Sequence, residues 1–226
     1  MDLHSDFTKR VVVHSDEIEW LASPMPGVDR RMLDRIGGEV ARATTIVRYA
    51  PQSSFSSHIH TGGEEFIVLD GVFQDEHGDF PVGSYVRNPP SSSHTPGSDE
   101  GCTIFVKLWQ FDPEDRTQIM INMEKSEPVP ASGRDGVAVI PLYMDDRETV
   151  RMETWEKGAS IELDLPEGGE FLVLEGGFSE NGDELRKHSW LRVPENGRLS
   201  AVSTSGDTKV WMKLRHLPHA KPPETN

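Results

Sequence analysis

A segment of twelve residues in the first half of this chain occurs again, in altered form, in the second half. Residues 62–73 read GGEEFIVLDGVF and residues 167–178 read EGGEFLVLEGGF, so that seven positions are identical at a spacing of 105 residues. A repeat of this length exceeds the roughly 20–50 residues of a solenoid unit and indicates two copies of a whole domain. The sequence therefore predicts a tandem pair of related domains.

The repeat extends beyond this segment and suggests where the domains end. Arg87 meets Arg192 at the same spacing, so the two copies also share a later strand. Residues 127–133 contain two prolines and a glycine and form the best linker candidate. The sequence predicts a first domain at 1–126, a linker at 127–133 and a second domain at 134–226.

Both copies consist of short apolar runs separated by turn residues. The chain has 20 glycines and 16 prolines, and their scattered positions favour many short strands over long helices. Residues 112–124 are an exception, because Asp112 and Pro113 are residue types that begin helices, and a short helix is predicted there. The predicted fold class is all-β, with a small barrel or sandwich in each half.

Charge and cysteine content narrow the function classes. The 23 basic and 38 acidic residues give a formal net charge of −15, which disfavours nucleic acids and anionic membranes as partners. No apolar run reaches the length of about 18 residues of a membrane-spanning helix, and the first residues lack the pattern of a signal peptide. Cys102 is the single cysteine, so an internal disulfide is excluded. We therefore expect a cytoplasmic protein.

Two histidines and a glutamate stand where a short strand is followed by a turn. His58 and His60 are two residues apart, which places both side chains on one face of an extended strand. Residues 61–63 are turn-forming and fold the chain back, so that Glu64 can approach both imidazoles. Two imidazoles and a carboxylate are a good ligand set for zinc, iron, manganese or nickel.

The second copy of the repeat lacks these polar residues. At a spacing of 105 residues, the equivalents of His58, His60 and Glu64 are Leu163, Leu165 and Gly169. The fold therefore tolerates the loss of the three side chains, and the first copy carries a chemistry that the second lacks. We expect the second domain to bind no metal.

Two further histidines could supply a fourth ligand, which metal sites of this kind commonly have. His77 lies in an acidic turn at 75–79, whereas His94 follows a strand that ends at Pro89. The equivalent of His94 in the second copy is Leu199, so His94 is replaced by an apolar residue as His58 and His60 are. The sequence therefore favours His94 over His77.

These spacings resemble the two sequence motifs of the cupin superfamily. The first motif is matched by His58, His60, Glu64 and Gly71, and the second by Gly83, Pro89 and His94. More narrowly, Trp20, residues 24–27 and residues 101–108 resemble the cupin domain of ChrR-type anti-sigma factors. The resemblance covers residues 8–111 and, as a degenerate copy, residues 135–217. It implies two tandem cupin domains, each a jelly-roll β-barrel, with one complete metal set.

The same resemblance implies a role. In ChrR-type proteins a separate N-terminal zinc domain with one His and two Cys ligands binds the sigma factor, and this chain has one cysteine and no such domain. The resemblance therefore implies the sensory half of an anti-sigma factor of the oxidative-stress type without the sigma-binding half, and a sigma factor is implied as a partner by this family resemblance alone. The alternative is a metal-dependent cupin dioxygenase that acts on a small diketone or aromatic substrate.

The cofactor implied for the first domain is one divalent transition metal, with zinc favoured over iron, manganese and nickel. Phe66 and Val68 have the strand parity of Glu64, and Tyr85 and Arg87 share a face of their own strand. These four residues are candidates for the wall of a small-molecule pocket, in which Arg87 could bind a carboxylate or phosphate. Cupins often dimerise. The resemblance therefore implies either a homodimer or a pseudo-dimer in which the two halves of one chain pair with each other.

Overall fold

The structure is a computed structural model, and it describes residues 1–38 and 40–223. Glu39 and residues 224–226, which end the predicted second domain, lie outside the described residues. Helical structure within the described ranges is limited to 3-10 turns at Ser15–Glu17, Met123–Lys125 and Leu217–His219. No helix there is long and apolar enough to cross a membrane. The fold is all-β, as the sequence predicts.

Short strands make up most of both halves. In the first half they are β1 (Val11–His14), β2 (Leu21–Ala22), β3 (Val28–Gly37), β4 (Ala41–Tyr49), β5 (Ser53–Ser54), β6 (His58–Ile59), β7 (Glu64–Asp75), β8 (Gly78–Pro81), β9 (Ser84–Asn88), β10 (Ser93–His94), β11 (Gly97–Ser98), β12 (Cys102–Leu108) and β13 (Ile119–Asn122). In the second half they are β14 (Val129–Pro130), β15 (Val137–Met144), β16 (Thr149–Trp155), β17 (Ser160–Leu165), β18 (Gly169–Glu175), β19 (Gly177–Glu180), β20 (Asp183–Arg186), β21 (Ser189–Val193), β22 (Gly197–Ser203) and β23 (Thr208–Leu214).

The chain forms two compact units. The first contains Met1–Ser5, Glu19–Lys125 and the described residues after Ala220, and the second contains Asp6–Ile18 and Ser126–Ala220. The sequence predicts that Asp6–Ile18 lies in the first domain, but this segment belongs to the second unit. The reason is that β1 pairs antiparallel with β21 and forms the edge strand of the large sheet of the second unit. The predicted linker holds β14, which pairs with β15 of the second unit.

The first unit is a sandwich of antiparallel strands in which the long strand β7 takes part in both the large sheet and the smaller pairings. The large sheet has the order β13-β9-β7-β12-β4-β3-β2. β7 continues past this sheet to pair with β8 and β11, while β6 and β10 pair with each other. Alternate residues of the large sheet point into the sandwich, where Val47, Phe66, Val68, Val106 and other apolar side chains form the core.

The second unit repeats this arrangement. Its large sheet has the order β1-β21-β18-β23-β16-β15-β14 and its smaller sheet the order β17-β22-β19-β20. Its core includes Trp155, Phe171, Phe178 and Met212. The pairing of Glu170 with Lys213 repeats the pairing of Glu65 with Lys107. The internal repeat of the sequence is therefore also a repeat of strand register.

The predicted helix at 112–124 is wrong. Asp112 caps a turn there, since its carboxylate accepts a hydrogen bond of 2.8 Å from the backbone N–H of Glu114. The chain then continues into β13, which pairs with β9 at the edge of the large sheet. Asp and Pro are favoured in turns as well as at helix starts, so their presence did not distinguish the two outcomes.

Candidate metal site

Four side chains from three different strand regions converge in the first unit. His58 lies on β6 and His60 directly after it, Glu64 begins β7, and His94 ends β10. β6 and β10 pair so that His58 and His94 are direct cross-strand neighbours. The backbone N–H of His60 continues this pairing, donating to the carbonyl oxygen of Ser92 at 2.9 Å. Strand pairing therefore brings the two cupin-like motifs together.

The distances among the four side chains fit one transition-metal ion. One donor atom from each of His58, His60, Glu64 and His94 lies within 4.8 Å of all the others. His60 Nε2 is 3.4 Å and His94 Nε2 is 3.6 Å from Glu64 Oε2. Two atoms that are each about 2.1 Å from a tetrahedral ion would be roughly 3.4 Å apart. The four residues are a candidate metal-binding cluster, and His77 is not part of it.

One buried ring nitrogen of His60 is available to bind a metal ion. Its Nε2 is buried without a hydrogen-bond partner, whereas its Nδ1 lies 3.0 Å from the hydroxyl of Ser92. Burial is the largest influence on this imidazole and lowers its pKa, which favours the neutral form. A neutral imidazole with a free nitrogen inside a buried cluster is the state that binds a metal.

The carboxylate of Asp75, at the end of β7, contacts the ring nitrogen of His94 that faces away from Glu64. Asp75 Oδ2 lies 3.1 Å from His94 Nδ1, and Asp75 Oδ1 accepts a hydrogen bond of 2.7 Å from the backbone N–H of His77. Burial opposes a charge on His94, but Asp75 and Glu64 together raise its pKa. By holding Nδ1, Asp75 directs Nε2 of His94 toward Glu64, as partners of metal-binding histidines commonly do.

We expect Asp75→Ala to weaken metal binding by about 10–100-fold, because His94 loses the contact that orients it. The affinity can be measured by competition with a chelating dye, and the thermal stability of the metal-free protein shows whether the variant still folds. Asp79→Ala is the matched control, since Asp79 lies on the same hairpin, is exposed and contacts Gln74. Equal affinities of the two variants would contradict the role of Asp75.

Glu64 is oriented by an amide that the sequence did not single out. Asn88 is the cross-strand neighbour of Glu64 on β9, is buried, and points its Nδ2 at Glu64 Oε2 over 3.4 Å. Gln118 Nε2 in turn donates to Asn88 Oδ1 at 3.3 Å. Asn88 and Glu64 point to the same face of the sheet because they are direct cross-strand neighbours. The sequence alone could not predict this contact, since it depends on the register between β7 and β9.

Two glycines allow aromatic rings to cover the turn between His60 and Glu64. A Cβ atom on Gly62 would lie 2.2 Å from the ring of Trp109, and one on Gly63 would lie 2.4 Å from the ring of Phe111. Gly63 also has a φ of +77°, which side chains disfavour. Trp109 is fixed against this turn by its backbone N–H, which donates to the carbonyl oxygen of Gly63 at 3.2 Å.

In the second unit the equivalent positions are packed with apolar groups. Leu163 pairs with Leu199 just as His58 pairs with His94, and Leu165 and Leu199 belong to the core. A Cβ atom on Gly169 would lie 2.7 Å from Leu214 Cδ2, so a glutamate could not take this position without displacing Leu214. Apolar packing in the second unit thus takes the place of the ligands in the first.

The four predicted pocket residues divide between the two faces of the large sheet. Phe66 and Val68 lie on the face of Glu64 but are packed in the core. Tyr85 and Arg87 are neighbours of Ile67 and Glu65, so they point to the opposite face. There the Tyr85 hydroxyl donates to Glu65 Oε1 at 2.5 Å, and Arg87 Nη1 contacts Asp115 Oδ2 at 2.6 Å. Tyr85 and Arg87 therefore do not face the candidate metal site.

Cys102 lies in the core of the first unit and outside the cluster. Its side chain is buried, and burial raises the pKa of its thiol to about 11. Because the thiolate is the reactive form, we expect Ellman's reagent to modify native protein slowly and to detect one thiol after unfolding. Fast modification of the native protein at neutral pH would contradict this assignment.

Comparison with known proteins agrees with this architecture. Residues 8–112 match the family described as the ChrR Cupin-like domain. No curated protein sequence matches the chain. Solved structures show its fold at low sequence identity, and three of them are informative here.

A candidate dioxygenase from Nostoc punctiforme is 15% identical with a TM-score of 0.77, over 97% of this chain and 87% of that one. The bacterial pirin YhhW from Escherichia coli, in complex with nickel(II), is 12% identical with a TM-score of 0.65, over 92% of this chain and 99% of that one. A Cupin 2 conserved barrel domain protein from Leptotrichia buccalis is 12% identical with a TM-score of 0.58, over 86% of this chain and 92% of that one. These likenesses establish the fold and leave the activity to be argued from the site.

Proposed function

We propose that this cupin-fold protein, whose residues 8–112 match the ChrR cupin-like family, binds one divalent transition metal in its first unit and acts as a regulatory protein that responds to a small molecule at that metal. The second unit would stabilise the protein without a metal of its own. The ChrR resemblance favours a sigma factor as the regulatory partner.

The convergence of His58, His60, Glu64 and His94 carries this proposal. Three of these side chains are buried, and burying a carboxylate beside imidazoles has a free-energy cost unless their charges and lone pairs are satisfied. The buried Nε2 of His60 without a hydrogen-bond partner is such an unsatisfied group. A divalent ion would satisfy it and the Glu64 carboxylate together.

The metal would act as a Lewis acid toward a bound ligand, and zinc is favoured as that metal. The protein's own residues have three tasks. Asp75 and Ser92 fix the orientation of two imidazoles, and Asn88 holds the carboxylate of Glu64. His58 is exposed, so the cluster is accessible from that side to a molecule from solution.

The burial of Cys102 favours sensing at the metal over sensing at the cysteine. A protein of the oxidative-stress type could sense through cysteine chemistry, but Cys102 is buried and its pKa is raised by burial to about 11. A thiol in this state reacts slowly with oxidants. The signal would therefore act at the metal or at its ligand.

A metal-dependent dioxygenase is the second candidate. The exposure of His58 to solvent favours a dioxygenase, because oxygen activation requires a site that substrate and oxygen can reach. The structural likeness to a candidate dioxygenase points in the same direction. In this case the metal would be iron or another redox-active ion rather than zinc.

Metal content and oxygen consumption distinguish the two candidates. Metal-free protein would be loaded separately with zinc and iron, its metal content measured by mass spectrometry, and its oxygen uptake followed with acetylacetone as a test diketone. One zinc per chain and no oxygen uptake with either metal support the regulatory role. Oxygen uptake by the iron-loaded protein supports the dioxygenase, and substoichiometric loading by every metal overturns both.

A further inference from the structure

The four candidate ligands differ in how deeply they are buried. His60 is 6% exposed, Glu64 8% and His94 2%, whereas His58 is an exposed residue. The strand that carries His58, β6, is two residues long and pairs with β10 alone. Residues 56–57, directly before it, are exposed and lie outside any strand. His58 is therefore held by less surrounding structure than the other three ligands.

The contacts that orient the three imidazole rings show the same difference. Nδ1 of His94 lies 3.1 Å from Asp75 Oδ2, and Nδ1 of His60 lies 3.0 Å from the hydroxyl of Ser92. Nδ1 of His58 reaches the carbonyl oxygen two residues earlier in the chain at 3.4 Å, which is near the limit of a hydrogen bond. Within residues 1–38 and 40–223 the His58 ring has no other hydrogen-bond partner. Its orientation is thus the least firmly fixed of the three.

The second unit indicates that this exposure belongs to the position in the fold. Leu163 takes the place of His58 there and is only partly buried. Leu165 and Leu199, at the places of the two other histidines, are 3% and 0% exposed. The position of His58 therefore stays partly open to solvent even where an apolar side chain occupies it and no ligand is needed.

The preference of zinc for four ligands gives this difference a chemical meaning. A zinc ion with four protein ligands is closed, whereas sites that bind another molecule keep one position open. The four donor atoms of the cluster would fill a tetrahedral shell. A small molecule can then bind the metal readily only if one protein ligand leaves.

The free-energy cost of leaving is lowest for His58. When an exposed imidazole leaves a metal, water can solvate its nitrogen. If His60 or His94 left instead, a buried nitrogen would lose its partner, and an unsatisfied buried polar group costs about 1–3 kcal/mol. The structure therefore separates three firmly held ligands from one that can be exchanged.

We propose that His58 is a displaceable ligand, and that the coordination position it leaves is the binding site for the small molecule to which the protein responds. The proposal rests on the proposed function and deepens it. A side chain already tethered beside the metal competes at an effective concentration on the order of millimolar, so a single donor group displaces it poorly. The ligand class is therefore a small chelator with two adjacent oxygen donors, for which zinc can expand to five ligands.

Chemical modification of the wild-type protein tests this displacement. Diethyl pyrocarbonate modifies imidazoles that are not bound to a metal, and peptide mass spectrometry locates the modified residues. In the zinc-loaded protein we expect His58, His60 and His94 to be protected, while His77, which is exposed, is modified and serves as the internal control. With acetohydroxamate as the chelating probe, His58 should become modified at a rate similar to that of His77, and the other two should stay protected.

Zinc content and acetohydroxamate binding are measured on the same samples, by mass spectrometry and calorimetry. Binding of acetohydroxamate while His58 stays protected overturns the displacement. Loss of zinc with modification of all three histidines overturns the idea that the remaining ligands keep the metal. No binding of acetohydroxamate by the zinc-loaded protein overturns the ligand class. A protein that takes up no zinc before the chelator is added contradicts the proposed function itself, so the two failures are distinguishable.

Free imidazole tests the same position in a variant. His58→Gly removes the ring from an exposed position, which imidazole from solution can then occupy. We expect this variant to lose its zinc when it is desalted in plain buffer and to keep about one zinc per chain when it is desalted in imidazole buffer. His94→Gly is the matched control, because its position is 2% exposed and free imidazole should not restore its zinc.

Equal zinc retention by the two variants in imidazole buffer overturns the distinction between His58 and His94. Thermal unfolding of the metal-free variants shows whether each is folded. The modification experiment uses the wild-type protein, so its result decides the proposal even if one of the variants does not fold.

Discussion

Replacing His94 with alanine is expected to abolish stoichiometric metal binding. His94 is the one ligand that comes from outside the 58–64 segment, and its Nε2 approaches Glu64 Oε2 to 3.6 Å. Without it the Glu64 carboxylate keeps two imidazoles, of which His58 is exposed to water. The same result is expected for His58→Ala. Both variants would be loaded with zinc, desalted and measured by mass spectrometry.

His77→Ala is the control for these variants. His77 is exposed at the tip of the β7–β8 hairpin, close to the site in sequence but outside the cluster. It should retain one metal per chain. Full metal content in both His58→Ala and His94→Ala would overturn the ligand assignment. Complete loss in either variant would also indicate that the second unit contributes no stoichiometric site.

Replacing Gly63 with alanine is expected to destabilise the first unit and weaken its metal site. The φ of +77° at Gly63 costs a non-glycine residue about 1–2 kcal/mol. The new Cβ would also lie 2.4 Å from the ring of Phe111, and overpacking of this kind costs about 1–3 kcal/mol more. The turn sets the position of Glu64 relative to His60, so relief of the clash should also lower metal affinity.

Gly27→Ala separates the two contributions. Gly27 has the same φ of +77°, but a Cβ atom there would lie 3.7 Å from Ala50 Cβ, an ordinary contact. Its substitution should cost only the backbone term of about 1–2 kcal/mol and should leave metal binding intact. Urea unfolding of the metal-free variants and zinc competition measure the two effects. Equal unfolding free energies for Gly27→Ala and Gly63→Ala would contradict the packing of Phe111 against the turn.

Much of the fold could be predicted from the sequence because it is encoded in local patterns. The repeat at a spacing of 105 residues predicts two related domains, and the structure repeats the strand register that this spacing implies. The four residues of the cluster were found in the same way. Alternation along a strand puts His58 and His60 on one face, and their joint replacement by apolar residues in the second copy links His94 to them.

Other features depended on which strands are neighbours, and the sequence does not state this directly. Asn88 lies beside Glu64, and Asp75 behind His94, only through the pairing of β7 with β9 and the path of the β7–β8 hairpin. β1 pairs with β21, almost 180 residues later, and this pairing assigns Asp6–Ile18 to the second unit.

Two arginines of the first unit, Arg87 and Arg30, show most clearly what the sequence determines and what the tertiary structure decides. By itself, the sequence determined the repeat, the all-β class and the residue types of the metal set, because these follow from spacing and strand parity. Arg87 and Arg30 are both arginines on β-strands, and only the tertiary structure decided that Arg87 contacts Asp115 on the outer face while Arg30 points into the sandwich. The physical reason is that parity groups side chains within one strand, whereas cross-strand register and sheet packing decide which group is buried and what each buried charge can contact.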